Sequence, residues 1–180
     1  MVSAQDPSAL TANVSWASVV PVPAWLDQAR ELSERWIHRQ QVLEAVGAPS
    51  DLRDDLAAPV LDGLRWAYPF RLEPHHRPAG ETVQISVTGP EVELRWNLVS
   101  DLPAWHFRPT AGGPIVADLR MTSEQAWRLL SNNLDEDRHG QVVASGDAEI
   151  IGALMRTRAI IGTPKWGLLR RGRANLGDRG

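Results

Sequence analysis

The chain of 180 residues contains no cysteine. This absence excludes disulfides and thiolate metal sites, so a bound metal ion has to be held by His, Asp, Glu or water. It also fits a reducing compartment. Hydrophobic residues make up 43% of the chain, which is ordinary for a globular protein with a core.

Long apolar runs are also absent. No stretch approaches the ~20 apolar residues that cross a bilayer. Residues 1–10 lack the basic segment and apolar segment of a secretory signal. We therefore expect a cytoplasmic protein without a membrane partner.

An excess of positive charge is missing too. The formal net charge is −3 and the pI is about 5.9, which argues against general nucleic-acid binding. Residues 164–180 are the exception and predict a basic flexible tail, either a nucleic-acid or membrane arm or, as we favour, a solvated end. Lys165 is the only lysine, which suggests a GC-rich bacterial genome.

The first half of the chain has helical periodicity. Residues 21–23 force an extended backbone, and a helix is predicted over 24–46, followed by the stop signals Gly47 and Pro49. Ser50 is predicted to cap a second long helix that reaches about Phe70, with Pro59 as a kink. The predicted inward stripe of the first helix consists of Trp25, Ala29, Leu32, Trp36, Leu43 and Val46.

Strand periodicity begins after the proline-flanked residues 74–80, which read as a linker between domains 1–74 and 80–163. Residues 83–87 and 92–98 predict an antiparallel hairpin, and further strands are expected at about 104–109, 114–121 and 142–144. Thr122 and Gln125 predict a capping box that opens a helix through Leu134, and a last helix follows Gly146-Asp147 to about Ile161. This order predicts an α+β protein, a partial helical bundle followed by an antiparallel sheet with helices.

Glu34 and His38 form the candidate metal site. They stand at i and i+4 in the first predicted helix, so they share one face and can share one ion. That face lies roughly opposite the predicted apolar stripe. The same spacing is therefore also compatible with a solvent-exposed pair that binds no metal. Metal binding requires this face to meet a third ligand, with coordination positions left open for water and substrate.

Other histidines and the tryptophans are weaker candidates. His75 and His76 stand in the predicted linker, His106 in a predicted strand and His139 in a predicted loop, so surface roles are favoured over metal ligation. Trp25, Trp36, Trp96 and Trp127 lie on apolar periods and are expected to pack in the core.

The sequence around Glu34 and His38 contains motifs that resemble those of a known family. The motifs include Val14-Ser15-Trp16-Ala17, Pro23-Ala24-Trp25-Leu26, Glu34-Arg35-Trp36-Ile37-His38-Arg39-Gln40-Gln41, Ala45-Val46-Gly47, Val87-Thr88-Gly89-Pro90, Ala126-Trp127-Arg128-Leu129-Leu130 and Ser145-Gly146-Asp147-Ala148. Together they resemble the mycothiol-dependent maleylpyruvate isomerase family, within the DinB-like metal-binding bundle proteins. The resemblance reaches to about Gly162.

The resemblance implies both a fold and a chemistry. It implies that Glu34 and His38 bind a divalent metal, usually zinc, and that residues 80–163 are similar to sterol-carrier proteins. The third family ligand is a histidine from an earlier bundle helix, which this chain does not contain. The chain is therefore expected to be either a C-terminal fragment or a natural short form that completes its bundle by homo-oligomerisation. A family arginine near the metal has no matched motif here, and Arg95, Arg108 and Arg120 stay unassigned.

Two functions compete on this basis. In the first, the metal activates mycothiol or a similar low-molecular-weight thiol, which attacks an electrophile such as an unsaturated diacid, giving isomerisation or thiol transfer. In the second, the protein is a non-catalytic module that binds a ligand or partner and keeps a vestigial metal site.

Overall fold

The structure is a computed structural model that describes residues 6–18, 20–91 and 93–159. The predicted basic tail, 164–180, lies outside the described residues. The fold is α+β, as predicted. Its elements, in chain order, are α1 (Ala24–Ala45), α2 (Asp54–Leu64), α3 (Ala67–Leu72), β1 (Thr82–Thr88), β2 (Glu93–Asp101), β3 (Ala104–Arg108), β4 (Ile115–Thr122), α4 (Ser123–Leu130), α5 (Glu136–His139), β5 (Val143–Gly146) and α6 (Ala148–Met155).

Helix α1 begins at the predicted residue and ends one residue before the predicted end, but its buried face differs from the predicted stripe. Trp36 is buried as expected, whereas Trp25, Leu32 and Val46 are 38%, 42% and 73% exposed, so their inward assignment was wrong. The helix packs on α2 at Gly63, where an added Cβ would lie 3.2 Å from the Ala29 Cβ. Small residues let the two backbones approach closely, which turns another face of α1 inward. Its buried residues are Ala24, Leu26, Ser33, Trp36, Ile37 and Gln40.

The second long helix was predicted incorrectly, because the structure has two shorter helices, α2 and α3, in its place. The side chain of Gln40 explains the late start. Its Oε1 accepts the N–H of Asp51 at 2.8 Å, and its Nε2 donates to the carbonyl of Asp51 at 3.2 Å. A backbone held in this way does not enter the helix, and Ser50 donates to Glu124 Oε1 (3.0 Å) instead of capping.

The sheet has five strands among the described residues, in the order β3-β2-β1-β4-β5. The β1–β2 hairpin is antiparallel, as predicted. Strand β4 pairs with β1 in parallel, so the expectation of a wholly antiparallel sheet was wrong. The segment between β3 and β4 crosses the end of the sheet beside Gly80, where the N–H of Gly112 donates to Thr82 Oγ1 at 3.0 Å. This crossover makes β4 run in the direction of β1.

Two helix starts follow the predicted signals. Thr122 and Gln125 form the expected capping box at α4, and Asp147 accepts from the N–H groups of Glu149 and Ile150 at the start of α6. Helix α4 ends at Leu130 rather than at Leu134, because Asn132 adopts a positive φ of 59°.

One hydrophobic cluster contains residues from α1–α3, the sheet, α4 and α6. Trp36 meets Trp127 edge to face at 5.9 Å between ring centroids, and Tyr68 lies 6.4 Å from Trp96, so these three tryptophans are core residues as predicted. The division into domains 1–74 and 80–163 stays a prediction. In the part of the chain that the structure describes, no helix combines the length and apolar character of a membrane span.

Candidate functional site

Glu34 and His38 lie one turn apart on α1, and this face of the single chain is open to solvent. The Glu34 side chain is 39% exposed, and His38 is exposed. Arg30 Nη1 donates to Glu34 Oε1 at 3.0 Å. Arg30 also binds Asp27 (3.1 Å) and Glu31 (2.7 Å). Glu34 is therefore part of a charged cluster on the helix surface, and its Oε1 accepts a hydrogen bond from Arg30.

The ring of His38 is oriented by Gln41, one turn further along the helix. Its Nδ1 lies 3.0 Å from Gln41 Oε1. An amide oxygen only accepts, so Nδ1 is the donor in this contact, and the neutral form of the ring then has its lone pair on Nε2. A histidine that ligates a metal commonly donates its other N–H to such an acceptor.

A third ligand does not join the pair within the described chain. Residues 6–18, 20–91 and 93–159 contain no group of three His, Asp or Glu side chains that could hold a metal ion. The structure therefore places a carboxylate and an imidazole on one accessible surface. A complete site needs a ligand from elsewhere.

In the part of the chain that the structure describes, no other histidine joins His38 in a group of three possible metal ligands. His75 Nδ1 lies 2.9 Å from Glu149 Oε1, which ties residues 74–80 to the start of α6. His76 is exposed, and so is His106 on β3. His139 is the last residue of α5, so its predicted place in a loop was wrong.

The three arginines left unassigned by the sequence have no common partner that would define a site. Arg95 is exposed, Arg108 lies 3.6 Å from Asp101, and Arg120 lies 2.6 Å from Asp118. We therefore assign no role to Arg95, Arg108 or Arg120.

Sequence reasoning missed a cavity between the segment around Trp16, helix α3 and the chain that follows α6. Its volume is about 510 Å³. Trp16, Ala67, Phe70 and Pro74 supply apolar wall, and the charged lining residues are Arg71, Glu73 and Arg158. Arg71 and Arg158 are 87 positions apart (158 − 71), so no local spacing could have joined them.

The two arginines of the cavity have hydrogen bonds to neutral oxygens. Arg71 Nη2 donates to the carbonyl of Arg156 at 2.9 Å. Arg158 donates to Asn132 Oδ1 (2.9 Å) and to the carbonyls of Met155 and Thr157. Burial, together with the like charge of Arg71, lowers the pKa of Arg158. Neither guanidinium pairs with a carboxylate among the described residues.

No protein-family model matches the chain, and no curated protein matches it. Among solved structures, a double mutant of the sec-alkyl sulfatase PisA1 is similar to it, with 11% sequence identity and a TM-score of 0.32. The match covers 77% of this chain and 30% of that chain. A likeness of this size carries no argument about fold or function.

Proposed function

We propose that this protein binds a divalent metal ion, zinc first, through Glu34 and His38 and uses it to activate mycothiol or a similar low-molecular-weight thiol. The thiol then takes part in isomerisation or thiol transfer on an electrophile such as an unsaturated diacid. The proposal includes membership of the maleylpyruvate isomerase family, which rests on the sequence motifs around the pair.

The orientation of His38 carries this proposal. Because Gln41 accepts from Nδ1, the neutral ring presents its Nε2 lone pair on the exposed face of α1. The Arg30 bond occupies only Oε1 of Glu34, and Oε2 has no hydrogen bond within the described residues. One imidazole nitrogen and one carboxylate oxygen, a helical turn apart, are a donor set that zinc accepts.

The roles of the protein groups follow from this geometry. Glu34 and His38 would hold the ion, Gln41 orients the ring, and Arg30 balances the charge of the carboxylate. When bound, the ion supplies Lewis acidity that lowers the pKa of a coordinated thiol. Because the pair faces solvent, we propose that a second copy of the chain provides the missing ligand and covers the site.

Metal analysis tests this proposal on protein purified without a histidine tag. We expect a stoichiometric divalent ion in the wild type and its loss in His38→Ala. His76→Ala is the matched control, because it removes an exposed histidine outside the pair. A wild-type protein without metal, or equal metal content in His38→Ala, would exclude a site at this pair.

A non-catalytic ligand-binding module is the second candidate function. The observation that favours it is the cavity of about 510 Å³, which combines apolar wall with Arg71 and Arg158. Under this alternative the protein binds an organic ligand with unchanged affinity in the presence of a metal chelator, and purified protein contains no stoichiometric ion.

A further inference from the structure

The cavity beside α3 has the size and lining of a small-molecule site. A volume of about 510 Å³ falls within the range of roughly 300–1,000 Å³ that is typical of ligand pockets. Trp16, Phe70 and Pro74 supply flat apolar surface. None of its lining residues is Glu34 or His38, so the cavity is separate from the proposed metal pair.

The charges at the cavity favour an anion. Arg71 and Arg158 are close enough for their like charges to disfavour each other, and both lack a carboxylate partner in the described chain. Two guanidinium groups in this arrangement would gain charge-assisted hydrogen bonds from a planar carboxylate, whose two oxygens match the guanidinium fork.

Two further polar groups lie in or beside this region without hydrogen-bond partners. The indole N–H of Trp16, a wall residue, is buried and has no acceptor among the described residues. The hydroxyl of Tyr68 is buried and likewise unpartnered there, and it interacts electrostatically with Arg158. Leaving a buried polar group unsatisfied costs free energy, so native structures have few such groups, and one of these two belongs to the cavity wall.

Glu73 restricts the kind of anion. Its carboxylate also lines the cavity, and no ion pair joins it to Arg71 or Arg158 within the described part of the chain. A second negative group on the ligand would meet this carboxylate and be repelled. The lining therefore suits one anionic group on an apolar body better than a dianion.

We propose that this cavity binds a small organic monoanion, a single carboxylate attached to a flat apolar or aromatic body. Arg71 and Arg158 hold the carboxylate, and Trp16, Phe70 and Pro74 contact the apolar part. The site gives the second candidate function its ligand class, and it requires no metal.

Calorimetric titration tests the proposal with naphthalene-2-carboxylate and its neutral analogue naphthalene-2-carboxamide, on the full chain in the presence of a metal chelator. We expect the carboxylate to bind about tenfold or more tightly than the amide, because hydrogen bonds to charged groups are the stronger ones. Arg71→Gln and Arg158→Gln should each weaken carboxylate binding by a similar factor. Arg35→Gln, at an exposed position of α1, is the matched control and should leave it unchanged.

The design separates a wrong proposal from a folding defect. Arg158 is partly buried, so its variant needs a melting temperature close to that of the wild type, whereas Arg71 is exposed and gives an independent test. Equal affinity for the carboxylate and the amide, equal affinity in wild type and Arg71→Gln, or no binding at millimolar probe would each overturn the proposal. His38→Ala should bind the probe normally, so failure of the metal site and failure of this site give different results.

Discussion

At the scale of single residues, Arg30 sets the charge around the proposed metal site. It contacts Asp27, Glu31 and Glu34 at 3.1, 2.7 and 3.0 Å. The hydrogen bond to Asp27, assisted by Glu34, raises the pKa of Arg30, so the side chain stays cationic. A metal ion that binds Glu34 therefore competes with a fixed positive charge only one turn away.

Replacement of this competitor should strengthen metal binding. We expect Arg30→Met to raise the zinc affinity by about twofold or more, because an exposed ion pair at i, i+4 contributes ~0.3–0.5 kcal/mol. Calorimetric zinc titration measures the change, and Arg35→Met is the control that removes an arginine without a partner at Glu34. A weaker affinity in Arg30→Met would mean that Arg30 positions Glu34 instead of competing for it.

The residues at the two sites differ in how far sequence could predict them. Glu34, His38, Arg30 and Gln41 all lie on α1 at helical spacing, so their shared face follows from local periodicity. The buried face of α1 could not be predicted from its own periodicity, because it depends on the close contact of α1 with Gly63 of α2. Arg71 and Arg158 meet only through tertiary packing, which no local spacing encodes.

At the scale of elements, the segment between α1 and α2 depends on Asp51. Its backbone is held by Gln40, and its carboxylate is held by Arg53 at 2.9 Å and by Arg39. The Arg53 guanidinium, with Arg39 beside it, lowers the pKa of Asp51 from 3.8 to about 2. The folded state therefore favours the charged carboxylate.

This lowered pKa predicts an acid-dependent contribution to stability. Because the folded pKa lies below the unfolded value, the contribution is present above pH 3.8 and is lost as the pH falls towards about 2. Asp51→Asn should therefore melt below the wild type at neutral pH, and the difference should shrink across that acid window. Thermal unfolding followed by circular dichroism as a function of pH measures it. A difference that is constant across the window would show that the charge of Asp51 contributes nothing.

An element could be predicted from the sequence when neighbouring residues determine it, and could not when distant residues do. The capping box at Thr122 and the β1–β2 hairpin depend on neighbouring residues, and both were predicted. The parallel pairing of β4 with β1 depends on how the chain crosses the sheet, so alternation within each strand could not reveal it. The start of α2 was missed because Gln40, 14 positions before Asp54 (54 − 40), holds the intervening backbone.

At the scale of the whole molecule, Arg128 joins helix α4 to the end of helix α1. It is 5% exposed, and it contacts Glu124 on its own helix at 2.6 Å and Glu44 near the end of α1 at 2.9 Å. Its guanidinium carbon also lies 4.3 Å from the centre of the Trp127 ring. Glu124 in turn accepts from Ser50, so one charged network connects α4 to both sides of the α1–α2 connection.

Loss of this network should destabilise the whole fold. We expect Arg128→Ala to lower the free energy of unfolding by about 2–4 kcal/mol, because it removes a buried cation from two carboxylates. The exposed pair of Arg108 with Asp101 provides the control, and Arg108→Ala should change stability by less than about 1 kcal/mol. Denaturant unfolding measures both variants, and similar losses in the two would contradict a special role for Arg128.

The proposed metal site also belongs to the scale of the assembly, because no third ligand joins Glu34 and His38 among the described residues. If a second copy supplies that ligand, zinc should shift the protein towards a dimer. The two ligands on α1 would then act only in the assembled form.

The proposed function depends most directly on zinc affinity at Glu34 and His38. The decisive measurement is a calorimetric zinc titration of the untagged wild type beside Glu34→Gln and His38→Ala, with Glu31→Gln and His76→Ala as matched controls. Glu31 is a suitable control because it also binds Arg30, on the same helix. We expect stoichiometric binding that weakens by about tenfold or more in the two site variants and is retained in the two controls. Equal zinc affinity in the wild type, Glu34→Gln and His38→Ala, or no zinc binding at all, would contradict it.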